Sequence, residues 1–287
     1  MKIAIVGTGY VGNALKRFLK KTYPEYDIKT YGKNICNDQV IDLNEAEEFD
    51  YDVLNQVDYV IFTAAVSSPD ICANDYDMSY RINVTGTGHF IENSLNKQCR
   101  VIFLSSDAVF GFADTIVDEN SKTVSDTVYG GMKKAIEDRF RGNPNFKSLR
   151  LSYVISENDK FANYLKNSYE EDTEVEVFSP FSRCCITMKE LLEVINYLIV
   201  NWYIVPSQFI NVCGNELISR EQIAFEWNKY YNNKLKIKIV KMPEEFTKNR
   251  PAILNMKSLY LNDILHLNHK TLEERLAEVI NTEERME

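Results

Sequence analysis

Apolar residues in the first half of the chain fall into short continuous runs, separated by stretches with helical spacing. Lys2–Val6 is an apolar run rich in β-branched residues, and Val11–Lys21 after it repeats apolar residues at Val11, Leu15, Phe18 and Leu19. Asp27–Tyr31 predicts a second strand, Tyr59–Thr63 a buried third and Arg100–Ser105 another. Between and after these, Tyr76–Leu95 reads as one long helix and Tyr129–Arg141 as a further one, before a strand at Lys147–Leu151. A strand that is apolar at successive positions needs cover on both faces. Strand–helix alternation supplies that cover, so the pattern predicts an α/β protein with a doubly wound parallel sheet.

After Val154 the alternation loosens. Phe161–Tyr169, Met188–Trp202 and Ser219–Tyr231 have helical spacing, while Glu174–Phe178, Gln208–Val212 and Leu235–Val240 read as short strands. Asn249-Arg250-Pro251 interrupts the periodicity, and Leu272–Ile280 predicts a closing helix with Glu-rich flanks. The expected division is a sheet domain over 1–155 and a smaller C-terminal α/β region over 156–287, with some segments of the latter packing back on the sheet domain. No Gly/Ser/Pro-rich linker marks the boundary.

Composition narrows the function classes. Of 287 residues 45% are hydrophobic and 12% aromatic, enough for a full core. Lys plus Arg number 33 against 42 Asp plus Glu, a net charge of −9. This balance argues against a charge-driven nucleic-acid partner, and it requires any anionic ligand to be held by a few local cations. The start, Met1 to Gly7, has too short an apolar stretch for a signal peptide. The longest apolar stretch, Leu191 to Val205, is broken by Glu193, Asn196 and Asn201 and fails as a membrane span. Cysteines 36, 72, 99, 184, 185 and 213 form no C-x-x-C pair. His89, His266 and His269 are not paired at i, i+4, which argues against a zinc site. The expectation is a reduced, cytoplasmic, soluble protein.

Gly7-Thr8-Gly9-Tyr10-Val11-Gly12 fits G-x-G-x-x-G between the first strand and the first helix. Glycines there permit a tight turn and close backbone approach, and the helix N-terminus faces a pyrophosphate. A Rossmann-like dinucleotide site is the reading; a tight turn without ligand is the alternative. A NAD site usually has an acid at the end of strand two, where this chain has Tyr31-Gly32-Lys33-Asn34. Lys33 fits a 2′-phosphate and so favours NADP(H), with NAD(H) as the alternative, but it also fits a solvated turn. Asp42, after Val40-Ile41, fits the adenine edge or an ordinary turn.

Tyr129-Gly130-Gly131-Met132-Lys133 sets a phenol and an ammonium at i and i+4, on one helix face. A nearby cation lowers a phenol's pKa, which makes Tyr129 a usable proton donor and acceptor. Ser106 ends the preceding strand, where the ligand crevice of a doubly wound sheet lies, and can bond the same substrate oxygen. A surface Tyr–Lys pair is the alternative.

With these motifs in view, the chain resembles the extended short-chain dehydrogenase/reductases almost end to end, most of all dTDP-4-dehydrorhamnose reductase and its nucleotide-sugar relatives. Thr63-Ala64-Ala65 resembles the turn after strand four, and Ile82-Asn83-Val84 the family's I-N-V segment. Ser105-Ser106-Asp107-Ala108-Val109-Phe110-Gly111 is similar to S-T-D-Y-V-F-x-G, which singles out Ser106 as the active hydroxyl. Leu149 to Val154 resembles the L-R-x-x-x-V strand beside the nicotinamide, Arg183 to Leu191 resembles R-D-x-I-x-V-x-D-L, and Arg250-Pro251 the late R-P element.

The resemblance implies a catalytic set of Ser106, Tyr129 and Lys133. It implies cofactor contacts at Gly7, Gly9, Tyr10, Val11, Gly12, Lys33, Asp42, Leu43, Ala64, Ala65, Tyr129, Lys133 and Tyr153. A nucleotide-sugar substrate would meet Val66, Ser67, Ser106 and Asp107, with Arg183 and Arg250 on its diphosphate. A homodimer is compatible with it.

Two departures stand out. The family's loop is usually G-x-x-G-x-x-G, one residue longer between its first glycines, and Cys184-Cys185 replaces more polar or aromatic residues. The opening dozen residues also look like UDP-sugar 6-dehydrogenases. Ala108 follows Asp107 where 4,6-dehydratases carry Glu and GDP-fucose synthase-like enzymes carry Cys. This leaves hydride transfer to a 4-keto sugar as the implied reaction. The alternatives are an epimerase or epimerase/reductase, which Cys72 could serve, and a non-catalytic NADP-binding subunit resembling the beta subunit of methionine adenosyltransferase.

Overall fold

Seven strands build the central sheet. In chain order they begin with Lys2–Val6 (β1), Asp27–Gly32 (β2), Gln39–Val40 (β3), Tyr59–Phe62 (β4), Arg100–Ser106 (β5) and Phe146–Leu151 (β6), and Phe209–Val212 is the last. The computed structural model describes residues 1–265 and 270–281, so His266 and His269 lie outside the described residues. The spatial order is Phe209–Val212, β6, β5, β4, β1, β2, β3. The order reverses at β1/β4, between a strand that continues to β2 and one that continues to β5. The pairings β1–β2, β1–β4, β2–β3 and β4–β5 are parallel. The 3-2-1-4-5-6 order is that of the Rossmann fold, whose ligand crevice lies at the carboxyl ends of the strands.

The helices of this part are Tyr10–Thr22 (α1), Pro69–Asn74 (α2), Tyr76–Tyr80 (α3), Thr87–Asn96 (α4) and Val128–Arg139 (α5). The run Tyr76–Leu95 is therefore not one regular helix, because Arg81–Gly86 forms a wider π turn between α3 and α4. That turn carries Asn83 to Val66, where its amide accepts from the backbone N–H at 2.8 Å and donates to the carbonyl at 2.9 Å. The two-residue β3 and the short α2 are too brief for periodicity to reveal. Phe62, Phe90, Phe103 and Phe146 are at most 1% exposed and centre one core, each worth about 1.5–3 kcal/mol of burial. Among the described residues no helix is long and apolar enough to cross a membrane.

The chain divides into two compact units that are not consecutive pieces. The first takes Met1–Gly111, Lys122–Arg150 and Ile195–Ile210; the second takes Phe112–Ser121, Leu151–Val194 and the described residues from Asn211. Within the second unit, Val154–Ile155 pairs in parallel with Ile186–Thr187, and Glu174–Ser179 with Lys236–Lys241. Ser182–Arg183 lies between Ile218–Ser219 and Ile253–Leu254. Its own core contains Ile155, Leu165, Val175, Val177, Trp227 and Leu276. Phe209–Val212 read in sequence as part of the C-terminal region, but it is an edge strand of the central sheet, with Ser148 N donating to Gln208 O at 2.8 Å.

Candidate active site

The glycine loop turns tightly against β4. Gly7 has φ +98°, and a Cβ there would lie 2.6 Å from Ala64 N, so only glycine fits. Gly12 is packed as closely, since its Cβ would meet Gly7 O at 1.9 Å. Thr63 Oγ1 ties the turn by donating to Gly7 O at 2.8 Å. Gly9 is the N-cap of α1, with no side-chain cap and no acid in the first turn. A helix N-terminus capped by glycine, with no acid in its first turn, fits a pyrophosphate. Gly9 and Tyr10 are exposed and Val11 is half-buried. At the neighbouring strand ends, Lys33 Nζ pairs with Asp42 Oδ2 at 2.7 Å. The pairing lowers the carboxyl pKa and raises that of the amine. Leu43 opens the 3₁₀ turn that Asp42 caps.

Ser105 and Ser106 face opposite ways at the end of β5: Ser105 is buried, and Ser106 is partly exposed. Ser106 Oγ donates to Asp107 Oδ1 at 3.1 Å and accepts from Ala108 N at 3.2 Å, capping the next turn. The start of α5 rests on that turn. A Cβ on Gly130 would stand 2.2 Å from Ala108 O, so the contact of the two backbones depends on glycine. Thr127 caps α5 through Gly130 N at 3.2 Å. Tyr129 and Lys133 thus share a neighbourhood with Ser106 and Asp107, and Lys133 Nζ lies 5.8 Å from the centroid of the Tyr129 ring.

The electrostatics differ from the sequence expectation that Lys133 lowers the Tyr129 pKa. Burial raises the phenol pKa, and the nearby Cys72 and Asp107 raise it further. The ammonium lies over the ring and donates to Leu104 O at 2.8 Å. Burial pulls Lys133 itself down to about 8, against smaller upward effects of Cys72 and Glu137. Cys72 is fully buried, and its thiol donates to Val66 O at 3.2 Å. Ala64, Ala65 and Val66 are half-buried along the segment after β4, and Ser67 is exposed.

Tyr153, Arg183 and Arg250 belong to the second unit. The Tyr153 hydroxyl donates to Asp159 Oδ1 at 2.5 Å and accepts from Arg220 Nη1 at 3.1 Å. Arg183 is 8% exposed and donates to three carbonyls, Ser182 O at 2.8 Å, Ala252 O at 3.1 Å and Pro251 O at 2.7 Å. Its guanidinium therefore holds the Pro251-Ala252 segment rather than presenting an open fork. Arg250, just before that segment, is half-buried and lies over the Phe246 ring at 4.1 Å.

A family model described as the RmlD substrate binding domain matches residues 1–285. The chain belongs to this RmlD family. By sequence, no curated protein matches it. Among solved structures, it is similar to the dTDP-4-dehydrorhamnose reductase of Bacillus anthracis in complex with NADP, at 21% identity and TM-score 0.83, over 98% of this chain and 99% of that one. It is also similar to the dTDP-4-dehydrorhamnose reductase of Clostridium acetobutylicum, at 18% identity and TM-score 0.81, over 99% and 100% of the two chains. The UDP-glucuronic acid 4-epimerase of Bacillus cereus, in complex with UDP-glucuronic acid and NAD, matches at 17% identity and TM-score 0.80 over 100% of both.

In this RmlD-family chain, sequence reasoning passed over Gly130, Arg220 and the Asn83 clamp on Val66. Gly130 stood inside a quoted motif, and only the approach of Ala108 O gives it a role. Arg220 heads the helix Arg220–Tyr230 without a motif of its own, and lies over Tyr153, Phe161 and Phe181 at 4.6, 4.3 and 5.1 Å.

Proposed function

We propose that this protein reduces the 4-keto group of a nucleotide-diphosphate 4-keto-6-deoxy sugar, as a dTDP-4-dehydrorhamnose reductase does, using NADPH or NADH. The observation that carries the reading is the seating of the Tyr129/Lys133 helix start on the Ser106–Ala108 turn, beside the carboxyl ends of a parallel sheet. The glycine-capped α1 N-terminus and the Gly7–Ala64 packing suit a dinucleotide, with Gly7, Gly9 and Gly12 around its pyrophosphate. When bound, the reduced dinucleotide supplies the hydride.

The side chains supply the rest. A phenol with a raised pKa is protonated at neutral pH, so Tyr129 holds the proton that the developing alkoxide takes up. Ser106 orients that oxygen by turning its hydroxyl from Asp107 to the substrate. Lys133, which donates to Leu104 O, holds the nicotinamide ribose in this reading. Arg250 takes the diphosphate, and Arg183 fixes the segment that follows it. Tyr129→Phe lowers turnover by roughly a hundred-fold or more and leaves dinucleotide affinity nearly unchanged. Wild-type turnover in that variant would remove Tyr129 from the mechanism.

Epimerisation needs a group that abstracts a ring proton. Cys72 suits that poorly: it is fully buried, its thiol is bonded to Val66 O and its pKa is raised by burial. Incubation in deuterated water separates the reactions, because only an epimerase step exchanges a ring proton with solvent.

A further inference from the structure

The turn that leads to the final sheet strand presents three apolar residues to solvent. Val200, Tyr203 and Ile204 are 58%, 77% and 67% exposed. Apolar residues scattered on a surface need no explanation, but this turn is fixed from beneath. Trp202 is buried, and its indole N–H donates to Pro144 O at 3.2 Å. The buried Lys147 ammonium donates to Val205 O at 2.7 Å and to Ser207 O at 2.8 Å. Arg100 donates to the Tyr203 hydroxyl at 2.9 Å and to the Tyr59 hydroxyl at 2.7 Å. Tyr203 and Ile204 therefore stand outward on a firm base.

Cations border the turn. Asn196 Nδ2 donates to the Tyr23 hydroxyl at 3.1 Å, which joins the end of helix Met188–Val200 to the end of α1. α1 carries Lys16, Arg17, Lys20 and Lys21 and no acid, in a chain with a net charge of −9. Lys16 has Asp38 within electrostatic reach. Arg17, Lys20 and Lys21 are exposed and take part in no ion pair among the described residues. The helix dipole favours Lys20 and Lys21, but the like pairs Lys16–Lys20 and Arg17–Lys21 at i, i+4 oppose helix formation. An external anion offsets that cost.

We propose that this end of the first unit docks on an anionic lipid bilayer, with Tyr203 and Ile204 entering the interface and Arg17, Lys20 and Lys21 meeting the headgroups. The attachment is peripheral and reversible. A second copy seated on the same face would set its own α1 cations against these, and like charges in contact oppose such a pair. A peptide helix needs a groove for its apolar side chains, whereas these side chains stand out into solvent. A bilayer accepts outward apolar side chains and supplies the negative charge together. Tyr59 opens β4 and Arg100 opens β5, so the surface lies at the amino ends of the strands. The glycine loop lies at the other end and stays open. The inference does not depend on the reaction proposed above.

Co-sedimentation of the full chain with lipid vesicles tests the proposal. Vesicles of phosphatidylcholine and phosphatidylglycerol in equal parts bind the protein, vesicles of phosphatidylcholine alone do not, and added salt weakens the binding. Lys20→Gln together with Lys21→Gln lowers the partition coefficient roughly ten- to thirty-fold, since each basic residue at an anionic surface is worth about five-fold. Ile204→Ser lowers it roughly five-fold through lost apolar contact, and Val200→Ser gives a second reading should Ile204→Ser fail to fold. No binding to the anionic vesicles overturns the proposal, as does equal binding to both kinds. Binding that the lysine variant loses and both apolar variants keep is charge attraction without insertion, and overturns it too. So does a dimer, seen by analytical ultracentrifugation without lipid, that Ile204→Ser dissociates, because the face is then an interface between copies.

Discussion

Lys133 is where chemistry and stability pull in opposite directions. The residue is 4% exposed, and burial depresses its pKa from 10.5 to about 8. Below pH 8 the folded protein bears the cost of a buried ammonium. As pH rises from 8 towards 10 the folded state has released that proton and the unfolded chain has not, so the contribution of this residue to stability increases. The full difference is on the order of 3 kcal/mol. In a series of urea titrations from pH 7 to 10, the stability of Lys133→Met relative to wild type falls as pH rises, because Lys147 and the buried thiols titrate alike in both proteins; a difference that does not change with pH would mean that Lys133 does not titrate there. The pairing of Tyr129 with Lys133 was legible in sequence because i, i+4 fixes a shared helix face. Its electrostatics were not legible, because they depend on Leu104 O, Cys72 and Asp107, which are distant along the chain or lie on another element. The two arginines show the same limit. Their motif positions could be read, but whether a guanidinium is open or already bonded to carbonyls is a property of packing.

The element that decides the site is α5, held at two points. At its start Gly130 lets the backbone meet Ala108 O. Gly130→Ala forces α5 back from the Ser106 turn, because the new Cβ would meet a backbone oxygen at 2.2 Å. Displacement on the scale of an ångström costs roughly a hundred-fold in turnover, with dinucleotide affinity affected far less. A kcat/KM split that falls on affinity alone contradicts this. Further along, Glu137 takes Arg150 in a bidentate pair of 2.8–3.1 Å and accepts from Ser148 at 2.9 Å, with both charged side chains nearly fully buried. Glu137→Gln leaves the Arg150 charge uncompensated and lowers unfolding free energy by about 3–5 kcal/mol. Replacing Glu137 and Arg150 together by apolar residues recovers much of that loss, and equal loss in the double variant argues against the pair as the cause. Neither hold is visible in periodicity, which gives a helix and its face but not the partner it presses on.

At the scale of the molecule, the chain passes repeatedly between its two units, so the sheet takes its final strand, Phe209–Val212, from late in the sequence. The central sheet was legible because buried parallel strands leave continuous apolar runs. That some late segments pack back on the sheet domain was expected, but not which one, since a short strand carries no mark of the sheet it joins. Membership of the RmlD family and the Rossmann strand order agree with the motif reading at both ends of the chain. The reaction is the remaining question, and the origin of the hydrogen added at carbon settles it. The protein is supplied with a 4-keto-6-deoxy nucleotide sugar and a reduced nicotinamide dinucleotide deuterated at the transferring position, and the product sugar is analysed by mass spectrometry and NMR. The account predicts one deuterium at C4 and none at the other ring carbons. Product without cofactor deuterium, or a sugar that exchanges only with solvent, contradicts it.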